Sequence, residues 1–284
     1  MDEKNRADEL IFGRNAVLAF LQAEPVSRRG VRGGRVNKLF VMPTAHSDKR
    51  LDLIKQLAKQ RNIPIFDCEK RRLEQMVGAE QAHQGVAAQL SPVDYWEFED
   101  FLKLLEKDRE RWTAEGNAPE SFMNNYVVGI LDGIEDPHNL GAIVRVAECA
   151  GVKALFLPER RSASITSVVA KTSAGALATL PVVRIGNLVR ALERLKESGF
   201  WIAGLDADAR QSCFEADLNI PLAIVIGSEG KGMSRLVKEH CDLLLKIPMF
   251  GQTESLNASV AAAIVFYERV RQATSKATEK QALH

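Results

Sequence analysis

The stretch "YVVGILDGIEDPHNLGAIVRVAECAG", Tyr126 to Gly151, decides how the fold is read. It opens on a near-continuous apolar run, passes through a polar loop and ends in a helix-like segment, "NLGAIVRVAECAG". A strand without polar alternation is buried on both faces, which is the condition of a parallel sheet covered by helices on either side. The pattern repeats. "ALFLPE", "LPVVRI", "WIAGLDA", "LAIVIGSE" and "DLLLKIPM" read as further apolar strands, and "NLVRALERLKESG" and "SLNASVAAAIVFYERVRQA" as helices. In such sheets ligands bind beyond the carboxyl ends of the strands. Three polar loops sit at such ends: "IEDPHNLGAIVRV" after "GILDG", "SEGKGMS" after "AIVIG", and "FGQTESLNASVAA" after "LLKIPM".

Outward from this region the chain has two other parts. Residues 10–90 mix helical spacing in "GRNAVLAFLQAE" and "DKRLDLIKQLAKQRN" with the short strands "VNKLFVM", "IPIFDC" and "GVAAQL", a small α/β layer. Residues 91–125 read as a linker holding one acidic helix, "VDYWEFEDFLKLLEKDRERW". The charge follows this division. Residues 1–90 hold 16 Lys and Arg against 11 Asp and Glu, whereas 91–125 hold 4 against 9. Among the basic residues are Arg28, Arg29, Arg32 and Arg35 in "SRRGVRGGRV", and Lys70, Arg71 and Arg72. A basic cluster among glycines suits phosphate, and a solvated loop has the same composition.

With 284 residues, 46% hydrophobic and 26% charged, the chain reads as soluble and globular. It has no run long and apolar enough to span a membrane and no secretory signal at "MDEKNRADEL", so a cytoplasmic location is expected. Cys68, Cys149, Cys213 and Cys241 form no CxxC pair, and the five histidines lack ligand spacing, so no metal is expected. The glycines of "GSEGKGMS" do not make a P-loop, because Lys231 is followed by Gly232 rather than Ser or Thr; no GxGxxG follows a strand. That removes the signatures of ATP hydrolysis and hydride transfer.

Together, "DPHNLGAIVRVAECAG", "IVIGSEGKGMS" and "IPMFGQTESLNASVAAAI" resemble, in order and content, the three motifs of the SpoU-type RNA ribose 2′-O-methyltransferases of the SPOUT superfamily. The resemblance covers residues 126–274, and residues 10–90 are similar to that family's smaller α/β RNA-binding domain, itself like a ribosomal-protein fold. The two-domain layout is most similar to the enzymes that methylate a guanosine of 23S rRNA.

The resemblance implies an α/β catalytic domain with a parallel sheet and a trefoil knot, S-adenosyl-L-methionine as methyl donor, an RNA substrate such as 23S rRNA, and a homodimer. It implies cofactor contacts at Gly227, Ile247 and Leu256, with Met249, Ala258 and Ser173 as neighbours, and catalytic roles for Arg145, Asn139, Glu229, Ser255 and Asn257. The resemblance makes Arg145 the group that activates the hydroxyl, either as a base or, since a guanidinium stays charged, by gripping phosphate and stabilising a developing alkoxide. Each residue has a plainer reading: Asn139 and Ser255 as helix caps, Glu229 as a partner of a helix dipole, Arg145 as a solvated face. Competing functions are tRNA ribose methylation, resistance-type rRNA methylation, and a non-catalytic RNA-binding assembly factor.

Overall fold

The computed structural model describes residues 10–22, 36–43, 48–91, 95–253 and 255–282. The arginine-glycine segment at residues 27–35 lies outside them. The chain divides into two compact units, Met1–Asp94 with Ser164–Thr179, and Tyr95–Ala163 with Leu180–His284. Residues 164–179 thus pack with the N-terminal unit although they fall inside the C-terminal run of alternating elements.

The first unit holds a four-stranded sheet ordered β1-β4-β2-β3, from β1 (Leu10–Phe12), β2 (Val36–Val41), β3 (Ile65–Asp67) and β4 (Val86–Leu90). Strand β1 is only three residues long and merges in sequence with the helix after it, α1 (Arg14–Gln22); spacing alone does not separate them. Helix α2 (Lys49–Gln60) starts where the Asp48 carboxylate accepts from the Arg50 and Leu51 N–H groups, a side-chain N-cap. It buries Leu51, Ile54 and Ala58, as α1 buries Val17 and Leu21. A third helix, α3 (Lys70–Val77), adds Leu73 to a cluster with Cys68 and Ala87.

The second unit is built on a seven-stranded sheet ordered β7-β6-β5-β10-β8-β11-β9, every pair parallel. Its strands are β5 (Val127–Asp132), β6 (Leu155–Pro158), β7 (Val182–Ile185), β8 (Trp201–Leu205), β9 (Gln211–Ser212), β10 (Leu222–Gly227) and β11 (Leu243–Lys246). The two central strands, β5 and β10, are buried in all but their last residue, as their unbroken apolar sequences require. Strand β11 stops at Lys246, so Ile247, Pro248 and Met249 belong to the loop rather than to the expected strand.

Helix α4 (Phe98–Ala114) occupies the acidic stretch, and its apolar stripe of Phe98, Phe101, Leu104 and Leu105 is buried. Phe101 stands edge-on to Phe156 of β6 at 5.0 Å between ring centroids. The turn α5 (Pro119–Phe122) follows. Helix α6 (Pro137–Cys149) follows β5, the short α7 (Ser167–Thr172) belongs to the first unit, α8 (Leu188–Glu197) follows β7, α9 (Arg235–Glu239) follows the β10 loop, and α10 (Ala258–Ala282) ends the described chain. Helices α6 and α10 pack on each other. Gly129 on β5 makes room beneath α10, since a Cβ there would stand 2.6 Å from Leu155 and 3.1 Å from Phe266. Among the described residues no helix is long and apolar enough to cross a membrane, and no cluster of His, Cys, Asp and Glu could hold a metal ion.

Candidate functional site

All strands of the second sheet run the same way, so the loops after β5, β10 and β11 leave from one edge. Two of them are tied at the root: Gly227 is in register with Asp132, and the Asp132 carboxylate accepts from the Ser234 N–H at 2.7 Å. Asp132 is missing from the sequence-derived set. Its signal was an acid closing an apolar strand.

The β10 loop folds back on itself, with Ser228 and Gly232 exchanging backbone hydrogen bonds of 3.1 and 2.9 Å. Gly230 and Gly232 take positive φ, 78° and 64°. Gly227 is required for a different reason: a Cβ there would lie 2.3 Å from the Gly232 carbonyl carbon and 2.4 Å from the Met233 nitrogen. The turn holds Glu229 at its exposed tip.

Three chain-distant residues meet there. Glu229 Oε1 accepts from Asn139 Nδ2 at 2.8 Å, from Asn257 Nδ2 at 2.6 Å and from the Ala258 N–H at 3.2 Å. Asn257 Nδ2 also donates to Asn139 Oδ1 at 2.9 Å. The other end of the Asn257 amide caps α10: Oδ1 accepts from the Ser259 N–H (3.0 Å), the Ser259 hydroxyl (2.6 Å) and the Val260 N–H (3.4 Å). Asn257 is therefore both cap and bridge, and the carboxylate of Glu229 lies at the positive end of α10.

Asn139 is not a cap. Asp136 takes that duty on α6, accepting from the His138 N–H at 3.0 Å behind Pro137 in the first turn, which leaves the Asn139 amide to the cluster. Ser255 does not cap either; it is exposed and, among the described residues, has no hydrogen-bond partner. Arg145 likewise is exposed without a hydrogen bond or ion pair among the described residues. Six residues of helix separate it from Asn139 by about 9 Å along the axis and about 240° around it, so the two leave α6 on different faces.

The remaining positions lie on the loop after β11. Ile247 and Leu256 are half-buried, Met249 is exposed and Ala258 is buried at the start of α10. From Ile247 to Leu256 the described residues make no hydrogen bond among themselves or with the other described residues. This loop thus carries open backbone donors and acceptors between two apolar side chains. Ser173 belongs to the first unit, buried, with its hydroxyl donating to the Ala170 carbonyl at 3.0 Å.

Known proteins resemble this chain in both of its parts. The sequence profile described as the SpoU rRNA methylase family matches residues 126–267, and that described as RNA 2′-O ribose methyltransferase substrate binding matches residues 10–96. The chain is 41% identical over 263 residues to YacO of Bacillus subtilis, named as a TrmH-family tRNA/rRNA methyltransferase, covering 93% of this chain and 95% of that one. It is 43% identical over 271 residues to slr0955 of Synechocystis, named as an uncharacterized tRNA/rRNA methyltransferase; the match covers 95% of this chain and 64% of that longer one. Among solved structures it shares its fold with the SpoU methyltransferase AviRb from Streptomyces viridochromogenes in complex with AdoMet, at 22% identity and a TM-score of 0.69, covering 97% of this chain and 95% of that chain. With two family profiles in tandem and a full-length relative at this identity, the chain belongs to the SpoU/TrmH family of RNA methyltransferases.

Proposed function

We propose that this chain transfers a methyl group from S-adenosylmethionine to a ribose 2′-hydroxyl of ribosomal RNA, with a guanosine of 23S rRNA as the acceptor. The observation that carries this reading is the meeting of Asn139, Glu229 and Asn257 from three separate loops at the carboxyl edge of a parallel sheet.

The residues of the β11 loop fit the cofactor. Ile247 and Leu256 offer apolar walls for a purine, the open backbone between them offers hydrogen bonds to its edge, and Gly227 lets the neighbouring turn close tightly. When bound, S-adenosylmethionine supplies a methyl group already activated by its sulfonium. What the chain must add is alignment of the acceptor oxygen and a destination for its proton. Glu229 Oε1 is held by three donors, while Oε2 has no hydrogen bond among the described residues, so one carboxylate oxygen is fixed and the other is open to an incoming hydroxyl. Ser255 adds a hydroxyl from the third loop, and Arg145 adds an exposed guanidinium suited to a phosphate or a developing alkoxide.

Ribosomal RNA is favoured over tRNA by the basic excess of residues 1–90. Two copies of the chain would associate through the exposed apolar positions of α10, Val260 and Tyr267. The test is transfer of radiolabelled methyl from S-adenosylmethionine to purified 23S rRNA and, separately, to total tRNA, with the labelled nucleotide identified. Labelled 2′-O-methylguanosine in 23S rRNA is expected. Label in tRNA alone replaces the substrate assignment, and no label in any RNA removes the reading.

A further inference from the structure

The first unit carries an aromatic surface that its own packing does not explain. Register places four residues in one row across the sheet: Phe12 of β1 opposite Ala87 of β4, Ala87 opposite Phe40 of β2, and Phe40 opposite Phe66 of β3. Directly paired residues share a face. At the β1 end this row is covered, since Lys171 of α7 lies over the Phe12 ring at 4.1 Å, its Nζ donating to Gln81 at 3.2 Å. In the middle, Ala87 and the partly buried Phe40 pack with Cys68 and Leu73 beneath α3. The cover ends before β3. Phe66 is 45% exposed, with its ring stacked on Phe40 at 5.9 Å between centroids and 29° between planes.

The next row of the same face is Leu10, Gln89 and Lys38. A bulge between Val36 and Lys38 lets Val36 join Leu39 and Val41 in the core while Lys38 stays with Phe40 on the open face. Lys38 is thus the diagonal neighbour of Phe66, exposed and without an ion-pair partner among the described residues. Cys68, two residues beyond Phe66 on that face, has Arg72 close enough for its charge to act on the thiol. Lys70 is committed to Glu74 at 3.6 Å, and Asp67 alternates to the other face. Among the described residues strand β3 pairs only with β2, so a large exposed aromatic stands on a sheet edge, the place where a fold with no use for it would put a charge.

We propose that Phe66, backed by Phe40 and flanked by Lys38, is a stacking platform for one unpaired base of the RNA acceptor, with Lys38 on an adjoining phosphate. A ring that is fixed from behind and open in front loses little freedom when a base stacks on it, and one cation beside it suits a single-stranded backbone. The proposal rests on the RNA-methyltransferase reading above and adds where, on the substrate-binding unit, a flipped-out or looped nucleotide is held.

The experiment uses the full chain and a fluorescein-labelled ten-nucleotide unstructured RNA, with the same strand annealed to its complement as a control, read by anisotropy. Native protein is expected to prefer the single strand. Phe66→Ala and Phe66→Leu are each expected to weaken single-strand binding about tenfold, the effect of losing one stacked base, without changing duplex binding. Phe66→Trp should keep the affinity and show indole quenching on binding. Lys38→Gln should reduce the slope of log affinity against log salt by about 0.7. Phe66→Leu keeps the apolar bulk, so native affinity in that variant overturns the proposal even if Phe66→Ala misfolds. A change of oligomeric mass in Phe66→Leu, by light scattering, also overturns it by making the face a subunit contact. Methyl transfer to 23S rRNA by the native chain is scored separately: if it stands while the Phe66 variants bind normally, the platform fails and the enzymatic reading survives.

Discussion

Replacing Asn257 by serine separates two duties that one amide performs. Oδ1 caps α10 through the Ser259 and Val260 N–H groups, while Nδ2 joins Glu229 Oε1 and Asn139 Oδ1 at 2.6 and 2.9 Å. A serine hydroxyl caps a helix about as well as an asparagine amide, yet is too short to reach either partner. The stability cost of Asn257→Ser is therefore the Nδ2 bonds alone. Glu229 is exposed and Asn139 half-buried, so these fall toward the low end for such bonds, about 1 kcal/mol together. Asn257→Ala adds the lost cap, about 1 kcal/mol more. At about 2–4 °C per kcal/mol, the serine variant should melt about 3 °C below the native protein and the alanine variant about 6 °C below.

Activity should not follow that gradation. Either variant removes one of three donors from the Glu229 carboxylate and the donor to Asn139 Oδ1, leaving Asn139 held through its own bond to Glu229, and a displacement of about 1 Å at a reacting centre costs about a hundredfold in rate. Thermal unfolding and single-turnover methyl transfer, measured on the same preparations, decide the point. Equal and large losses of turnover with unequal melting temperatures are expected. Native turnover in Asn257→Ser beside loss in Asn257→Ala would show that this amide serves the helix only, and the proposed site would lose its central member.

Arg145→Lys is expected to abolish most methyl transfer while leaving the melting temperature within about 1 °C, because the exposed guanidinium makes no hydrogen bond or ion pair among the described residues and a lysine cannot reproduce its planar fork; near-native turnover would assign Arg145 to a solvated face. Gly227→Ala should lose both stability and cofactor binding, measured by calorimetry with S-adenosylmethionine, since the added methyl meets backbone atoms of Gly232 and Met233 that have nowhere to go. The thiols set an alkaline limit. Burial, helped by the Glu268 carboxylate, pushes the Cys213 thiol up to about 11, and burial with Asp242 pushes that of Cys241 up to about 12. A folded value above the unfolded one gives stability that is whole below about pH 8.5 and is lost as pH rises through 11; for Cys213 this amounts to about 3 kcal/mol. Cys213→Ala should flatten the fall in melting temperature between pH 9 and 11, and an unchanged fall would place its cause elsewhere.

Much of the second unit was legible because its central strands have no polar alternation to misread: β5 and β10 are apolar to their last residue, and polar residues crowd where they stop. The convergence of Asn139, Glu229 and Asn257 followed from strand direction, which the alternation of unbroken apolar strands with helices indicates. What spacing did not show depends on contacts made elsewhere. Asp136 rather than Asn139 caps α6, because Pro137 sets the first turn one residue behind it. Strand β1, three residues long, is a strand only because β4 pairs with it, and residues 164–179 pack with the first unit through α7 although their sequence continues the second. The acidic pattern of 91–125 announced a helix but not that Phe98 and Phe101 would enter a core.

The Asn257 position also explains why three small polar residues crowd the start of the last helix. A cap alone needs one acceptor, and Asn257 Oδ1 supplies it. The amide's other end is what ties the helix to the β10 turn, and the Ala258 N–H, one of the four orphan donors of the first turn, is spent on Glu229 rather than on water. The first turn of α10 therefore cannot move without carrying Glu229 with it. Since α10 packs on α6, which bears Asn139, the three loops share one support.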